Sequence, residues 1–234
     1  MAQLPFYIPA VFILTTFLTV FFLFKATHYS KPVAYLAALW LLIQGTVGFA
    51  GFYQVEDTIP PRFVLLVGPA LLAIILLFTF RPGRRFIDAL DHKWLVWLHI
   101  VRVPVEIVLF WLFVQRLVPK DMTFEGTNLD ILSGLTAPFF AFFGYHRRKL
   151  GRWALVAWNL ACLILLFNVV STAVLSAPTP IQSRAFDQPN VGVLYFPFVW
   201  LPGFIVPVVF FSHLVLLRRL MLSGPNETKV LSLT

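Results

Sequence analysis

The sequence predicts an all-α membrane protein in which seven transmembrane helices form one bundle. Three observations support this prediction: 59% of the 234 residues are apolar, only 12% are charged, and the apolar residues fall into seven long runs. A soluble domain contains about 25% charged residues. Membrane strands would alternate between apolar and polar residues, whereas these runs are continuously apolar, so helices are expected.

Each run is close to the roughly 20 mainly apolar residues that a helix needs to cross the hydrocarbon core. The first run lacks the basic start and small-residue cleavage site of a signal peptide, so we interpret it as an uncleaved helix. The seventh contains three prolines and is expected to be bent or interrupted. Residues 1–222 are expected to form the bundle, and residues 223–234 a mobile cytoplasmic tail. The expected spans are residues 5–25, 32–53, 63–80, 94–117, 128–146, 153–175 and 193–217.

The connections between the runs alternate in charge. Because positively charged connections stay in the cytoplasm, this alternation predicts an external N-terminus and a cytoplasmic C-terminus. One side carries Lys25, Lys31, Arg81, Arg84, Arg85, Lys93, Arg147, Arg148, Lys149, Arg152, Arg218 and Arg219. The other carries Arg62, Arg116, Lys120 and Arg184 against Glu56, Asp57, Asp121, Glu125, Asp130 and Asp187.

Several function classes lack support in the sequence. The net charge of +8 comes from clusters between apolar runs, so nucleic acid is not an expected partner. No lysine lies in the middle of a run, which excludes a retinal Schiff base, and no cofactor is expected. Neither CxxC nor HExxH nor GxSxG occurs, and Cys162 is the only cysteine. Whether a metal binds stays open.

The fourth run carries three ionisable residues, His99, Arg102 and Glu106. On a helix, Glu106 lies about 20° and Arg102 about 60° from His99, so all three share one face. Charged groups at membrane depth usually face a bundle interior or a wet cavity and indicate a functional site. Pro104 also frees the carbonyl of Ile100. The alternative is a structural Arg102–Glu106 pair that only joins helices.

Other runs carry polar residues at matching depths. At about 1.5 Å per residue, Asn159 and His213 lie level with His99, Gln44 lies near mid-membrane, and Asn168 lies further outward. Each alone is typical of an interhelical hydrogen bond. Together they predict an intramembrane binding pocket formed by His99, Arg102, Glu106, Asn159, His213, Gln44 and Asn168.

A second candidate set lies on the predicted external face and consists of Glu125, Asn128, Asp130 and Asp187. Carboxylate and amide oxygens are suitable ligands for hard cations, and the set is expected to bind a cation or to cap an external pocket. The spacing is not that of an EF-hand. The alternative is a solvated loop in which Asn128 or Asp130 caps the fifth helix.

Four stretches resemble an uncharacterised group of bacterial seven-span membrane proteins, and the resemblance covers most of the chain beyond residue 90. It implies a bacterial inner-membrane setting and transfers no catalytic role, because the group has no assigned activity. The stretches are His99-x-x-Arg102-x-Pro104-Val-Glu106, Met122-Thr-Phe-x-Gly126-x-Asn128-x-Asp130-Ile131, Trp158-Asn159 and Phe196-Pro-Phe-Val-Trp200.

The leading functional hypothesis is an integral membrane protein that binds or transports a small polar solute, a cation or protons, with Glu106 as the charged or proton-exchanging group. The first alternative is an integral-membrane enzyme acting on a lipid or isoprenoid substrate, in which Glu106 and His99 serve as acid and base. The second is a seven-helix sensor. The expected partners are membrane lipid and a small solute, ion or lipid ligand.

Overall fold

The computed structural model describes residues 4–55 and 58–222, and every regular element in these residues is helical, as the composition predicts. The predicted tail 223–234 and the acidic residues Glu56 and Asp57 lie outside the described residues.

Five of the described helices are long and apolar enough to cross a membrane. They are Tyr7–Ala26 (α1), Lys31–Phe49 (α2), His92–Val114, Arg152–Leu175 (α8) and Leu201–Leu222. A sixth candidate consists of Val64–Thr79 (α3) and Arg81–Asp88 (α4), which meet at 92°. The predicted fifth span forms Ile131–Phe139 (α7) followed by one wide π-helical segment, Phe140–His146.

Two of the long helices change their winding near a proline. His92–Val114 consists of His92–Leu98 (α5), a 3₁₀ turn and Arg102–Val114 (α6), with Pro104 in the first turn of α6. Leu201–Leu222 begins with π-helical turns and continues as Val206–Leu222 (α9), with Pro207 at its second position. Proline has no N–H for the carbonyl four residues earlier, so the regular ladder stops there.

The bend between α3 and α4 follows from its local sequence. Phe80 is extended and stands immediately before α4, whose first turn contains Pro82, where a proline costs no helical hydrogen bond. Arg84 then donates from Nη1 to the carbonyl oxygen of Thr79 over 2.7 Å. This hydrogen bond satisfies one of the last carbonyls of α3.

The unit α5–α6 occupies the centre of the bundle. α1 packs along both of its halves, α7 packs against α6 and the 3₁₀ turn, and α9 packs against α5. α8 packs along α9. The polar residues of the fourth run therefore meet α7, α8 and α9 inside the protein.

Candidate functional site

Arg102, at the start of α6, is the centre of a buried polar network. Its Nε donates to Oδ2 of Asp130 over 2.6 Å, and its Nη2 donates to Oδ1 of the same carboxylate. The two side chains are only 3% and 6% exposed. Nη2 also donates to the carbonyl oxygen of Cys162, and Nη1 lies 3.0 Å from Nε2 of His213. The ion pair thus joins α6 to the start of α7 and differs from the Arg102–Glu106 pair of the alternative interpretation.

Two glycines allow the chain before and within α7 to approach its neighbours. A Cβ on Gly134, one turn after Asp130, would lie 2.7 Å from a side-chain atom of α6. A Cβ on Gly126 would lie 2.4 Å from a backbone oxygen of the turn Lys120–Met122. Such distances are shorter than any ordinary contact, so a larger residue would push this segment outward. Asn128 and Asp130 therefore reach α6 because glycine occupies both positions.

Glu106 lies one turn after Arg102 and binds Asn128. Nδ2 of Asn128 lies 2.8 Å from both carboxylate oxygens of Glu106 and 2.9 Å from the carbonyl oxygen of Met122. Oδ1 of Asn128 accepts from the backbone N–H of Asp130 over 2.9 Å. These backbone partners fix the orientation of the amide, so Asn128 acts as a donor toward Glu106, while its Oδ1 accepts from a backbone N–H at the start of α7; the side chain of Asp130 makes no such capping hydrogen bond.

His213, on α9, is held in one tautomer by its neighbours. Because the guanidinium of Arg102 can only donate, Nε2 of His213 accepts, and the proton resides on Nδ1. That N–H donates to Oδ1 of Asn159 over 2.9 Å, and Nδ2 of Asn159 donates to the carbonyl oxygen of Leu155. The hydrogen-bond pattern is that of a neutral imidazole.

His99 stacks on His213, with ring centroids 3.9 Å apart and 22° between the planes. Its Nε2 lies 3.0 Å from Oγ of Ser212, and that hydroxyl also lies 2.9 Å from the carbonyl oxygen of Val209. When the hydroxyl donates to Val209, Nε2 of His99 is the donor to Oγ; Nδ1 of His99 has no partner among the described residues. Nothing in the sequence distinguishes Ser212 as a site residue beyond its position next to His213.

A cavity of about 280 Å³ lies beside this network. Apolar side chains from α3, α6, α8 and the Leu201–Leu222 helix form nearly all of its wall. The polar residues on the wall are Arg102, Glu106, Asp130 and Asn190. Its size is near the lower end of small-molecule sites, which span roughly 300–1,000 Å³.

Asn190 was not among the predicted site residues, although it belongs to the same stretch as Asp187. It is 1% exposed. Its Nδ2 donates to the carbonyl oxygen of Ala173 over 3.0 Å, and its backbone N–H donates to the carbonyl oxygen of Ser176. Its Oδ1 has no hydrogen-bond partner in the described part of the chain. Proximity in the sequence to the acidic stretch is the signal that could have identified it.

The structure brings together five of the seven predicted pocket residues and adds two from the predicted external set. Gln44 lies apart and accepts from the hydroxyl of Tyr53 over 2.6 Å. Asn168 donates to the carbonyl oxygen of Thr127. Glu125 and Asp187 are exposed and do not share the environment of Asn128 and Asp130. The clustered residues are His99, Arg102, Glu106, Asn159 and His213 with Asn128 and Asp130.

Metal-ligating side chains do not gather in threes anywhere in residues 4–55 and 58–222. Instead, the arrangement provides an ion pair, a second carboxylate with one amide donor, two stacked imidazoles and an apolar cavity beside them.

Neither a curated protein nor a solved structure matches the chain. A domain of unknown function, DUF8737, matches residues 59–221, which is well over half of the sequence and includes every residue of the buried network. The match agrees with the resemblance to an uncharacterised group in carrying no assigned activity. The chain belongs to the family defined by the domain of unknown function DUF8737.

Proposed function

We propose that the protein binds a lipid- or isoprenoid-like molecule inside its helical bundle. The observation that carries this proposal is the 280 Å³ cavity, whose wall is apolar except for Arg102, Glu106, Asp130 and Asn190. The apolar part of the ligand occupies the cavity, and its polar end contacts these four residues. The ligand is held without a covalent bond.

The apolar wall favours such a ligand over a small polar solute. Transfer of an unpaired polar group into an apolar environment costs roughly 2–7 kcal/mol, whereas an apolar chain that moves from lipid to an apolar wall meets no such cost. A molecule with an apolar body and one polar end matches both the apolar side chains of the wall and its four polar residues.

The cavity also lies close to the surface of the bundle. Leu71 of α3 is 38% exposed, and Val170 and Val174 of α8 are half-buried, although all three line the cavity. In this proposal the ligand enters from the lipid between α3 and α8. Glu106 lines the cavity and His99 does not, so the proposal assigns binding and no acid–base reaction to this pair.

The test fills the cavity with a larger side chain. Ala173→Phe extends into it, and Ala161→Phe on the exposed face of the same helix is the matched control. Native mass spectrometry counts copurified lipids and added 1-dodecanol on the purified protein. We expect saturable binding to the parent and to the control, and at least tenfold weaker binding to Ala173→Phe. Equal binding to all three proteins would refute the proposal.

A second candidate function is transport of a proton, a cation or a small polar solute through the same region. The observation that favours it is Glu106, a buried carboxylate whose hydrogen bonds among the described residues come from the neutral amide of Asn128. Glu106→Gln is then expected to reduce pH-driven dye flux in liposomes at least tenfold, whereas the exposed Glu125→Gln leaves it unchanged. Unchanged flux in Glu106→Gln removes this candidate.

We further propose that the chain crosses a bacterial cytoplasmic membrane seven times, with α3 and α7 as the additional spans. The charge alternation and the resemblance to bacterial seven-span proteins support this arrangement. In a Cys162→Ser background, a membrane-impermeant maleimide is expected to label Glu125→Cys in intact cells. Lys149→Cys is expected to react only after the cells are opened. The reverse pattern would invert the topology.

A further inference from the structure

We infer that the polar end of the ligand is a hydrogen-bond donor, either a hydroxyl or a protonated amine, and not a carboxylate or phosphate. This inference rests on the proposed intramembrane binding function and specifies the chemical class of its ligand. It follows from which hydrogen-bonding groups of the cavity wall are already used and which are open.

Asn190 offers an open acceptor. Its amide nitrogen is engaged with the carbonyl oxygen of Ala173, which fixes the orientation of the side chain and leaves Oδ1 without a partner in the described residues. A buried carbonyl oxygen without a donor is costly, and a ligand hydroxyl or ammonium removes that cost. A carboxylate would add another acceptor and leave the oxygen unpaired.

Glu106 offers further acceptor positions. Both of its oxygens lie 2.8 Å from one amide nitrogen of Asn128, so both act as acceptors in this geometry. That amide nitrogen has only two hydrogens and also serves the carbonyl oxygen of Met122. Several lone pairs of the Glu106 carboxylate are therefore open.

The donors on the wall are largely engaged. The three guanidinium nitrogens of Arg102 donate hydrogen bonds to Asp130, to His213 and to the carbonyl oxygen of Cys162. Asp130 balances the positive charge of Arg102, so an ionised Glu106 adds a negative charge that no cation hydrogen-bonded to it within the described chain offsets. An anionic head group would meet this charge and find few free donors, whereas an ammonium or hydroxyl group complements it.

The test compares three probes with the same twelve-carbon chain: 1-dodecanol, dodecylamine and dodecanoate. Native mass spectrometry of the detergent-solubilised full-length protein measures the dissociation constant of each. We expect the alcohol and the amine to bind at least tenfold more tightly than the carboxylate. The relative affinity of alcohol and amine distinguishes the two donor chemistries.

Two variants test whether polar residues of the cavity wall cause the head-group preference. Asn190→Leu is expected to weaken binding of 1-dodecanol at least fivefold. Asn168→Leu removes an amide outside the cavity wall and is expected to leave the binding of 1-dodecanol unchanged. Glu106→Gln replaces one hydrogen-bond acceptor by a donor. It is expected to weaken binding of dodecylamine and to strengthen binding of dodecanoate. Because Asn190 and Glu106 act on different probes, misfolding of either variant leaves the other as a test.

The possible outcomes separate this inference from the proposed function. Equal affinity for all three probes, abolished by Ala173→Phe, would refute the head-group preference and keep the binding function. Preference for dodecanoate would also refute the inference. Binding that Ala173→Phe does not change for any probe would refute the proposed function itself.

Discussion

The helices α2 and His92–Val114 both pass as membrane spans, yet they occupy opposite environments. In an 18-residue window of α2 the mean hydropathy is 1.5 and 28% of the window is buried inside the protein. In the corresponding window of His92–Val114 the mean hydropathy is 1.9 and 61% is buried. The more apolar helix is the one that lies inside the protein and carries His99, Arg102 and Glu106. Hydropathy therefore indicates that a helix suits a membrane, and the charged residues indicate which helix other helices surround.

The largest effect is expected when the central helix loses its charge balance. Arg102→Leu leaves the buried Asp130 unpaired and is expected to lower the free energy of unfolding by roughly 3–5 kcal/mol. Lys31→Leu, at the exposed start of α2, is expected to change it by less than about 0.5 kcal/mol. Unfolding in mixed micelles, followed by tryptophan fluorescence, measures both.

The double variant Arg102→Leu/Asp130→Leu provides the control for this reading. Removing both partners leaves no unpaired charge, so it is expected to be more stable than Arg102→Leu alone. Equal or greater destabilisation in the double variant would show that packing, and not the unpaired carboxylate, causes the loss.

A smaller effect is expected at the contact between α6 and α7. Gly134→Ala places a methyl group 2.7 Å from a side-chain atom of Val103 and is expected to destabilise by roughly 1–3 kcal/mol. Gly151→Ala, before α8, is the matched control because nothing lies within 4 Å of its Cβ position. Equal melting temperatures for the two variants would contradict the close approach.

The attachment of the peripheral helix gives a still smaller effect. Nε1 of Trp200 donates to the carbonyl oxygen of Leu41 in α2 over 2.9 Å. Trp200→Phe removes this hydrogen bond and is expected to cost about 1 kcal/mol. Trp153→Phe, at a position 76% exposed, controls for the loss of an indole. A neutral Trp200→Phe would mean that this hydrogen bond does not help to hold α2, which Trp40 also joins to the carbonyl oxygen of Gly203 over 2.8 Å.

The smallest effect is expected at the surface, where Arg218 of α9 binds Asp88 of α4 at 3.0 and 3.1 Å. Hydrogen bonding to Arg218 lowers the pKa of Asp88 below its ordinary value of 3.8, against the opposing effect of burial. The ionised form is favoured in the folded state, so the contribution is full above pH 3.8 and disappears as the pH falls through the lowered pKa.

Asp88→Asn is therefore expected to lower stability by only a few tenths of a kcal/mol at neutral pH, because the pair is exposed to solvent. Melting curves of the parent and the variant, recorded from neutral to strongly acidic pH, check the sign. A difference that grows on acidification would contradict it.

Part of the site was accessible from the sequence. The spacing of His99, Arg102 and Glu106 places them on one helical face, and all three are buried. Depth counting related Asn159 and His213 to them, and His213 does bind both Asn159 and Arg102, because side chains at one depth on neighbouring helices can meet. It failed for Gln44, since depth along the membrane says nothing about the side of the bundle: Gln44 instead meets Tyr53 nine residues later.

Local sequence determined that this chain is helical, that several helices suit a membrane, and that the fourth run carries Arg102 and Glu106 on a buried face. Only the tertiary structure decided that Arg102 binds Asp130, that Glu106 binds Asn128, and that an apolar cavity lies beside them. Composition and periodicity depend on neighbours along one helix, so the features that follow from them can be predicted without knowledge of the fold. Partners from separate helices depend on how closely the backbones approach, and here Gly126 and Gly134 set that distance.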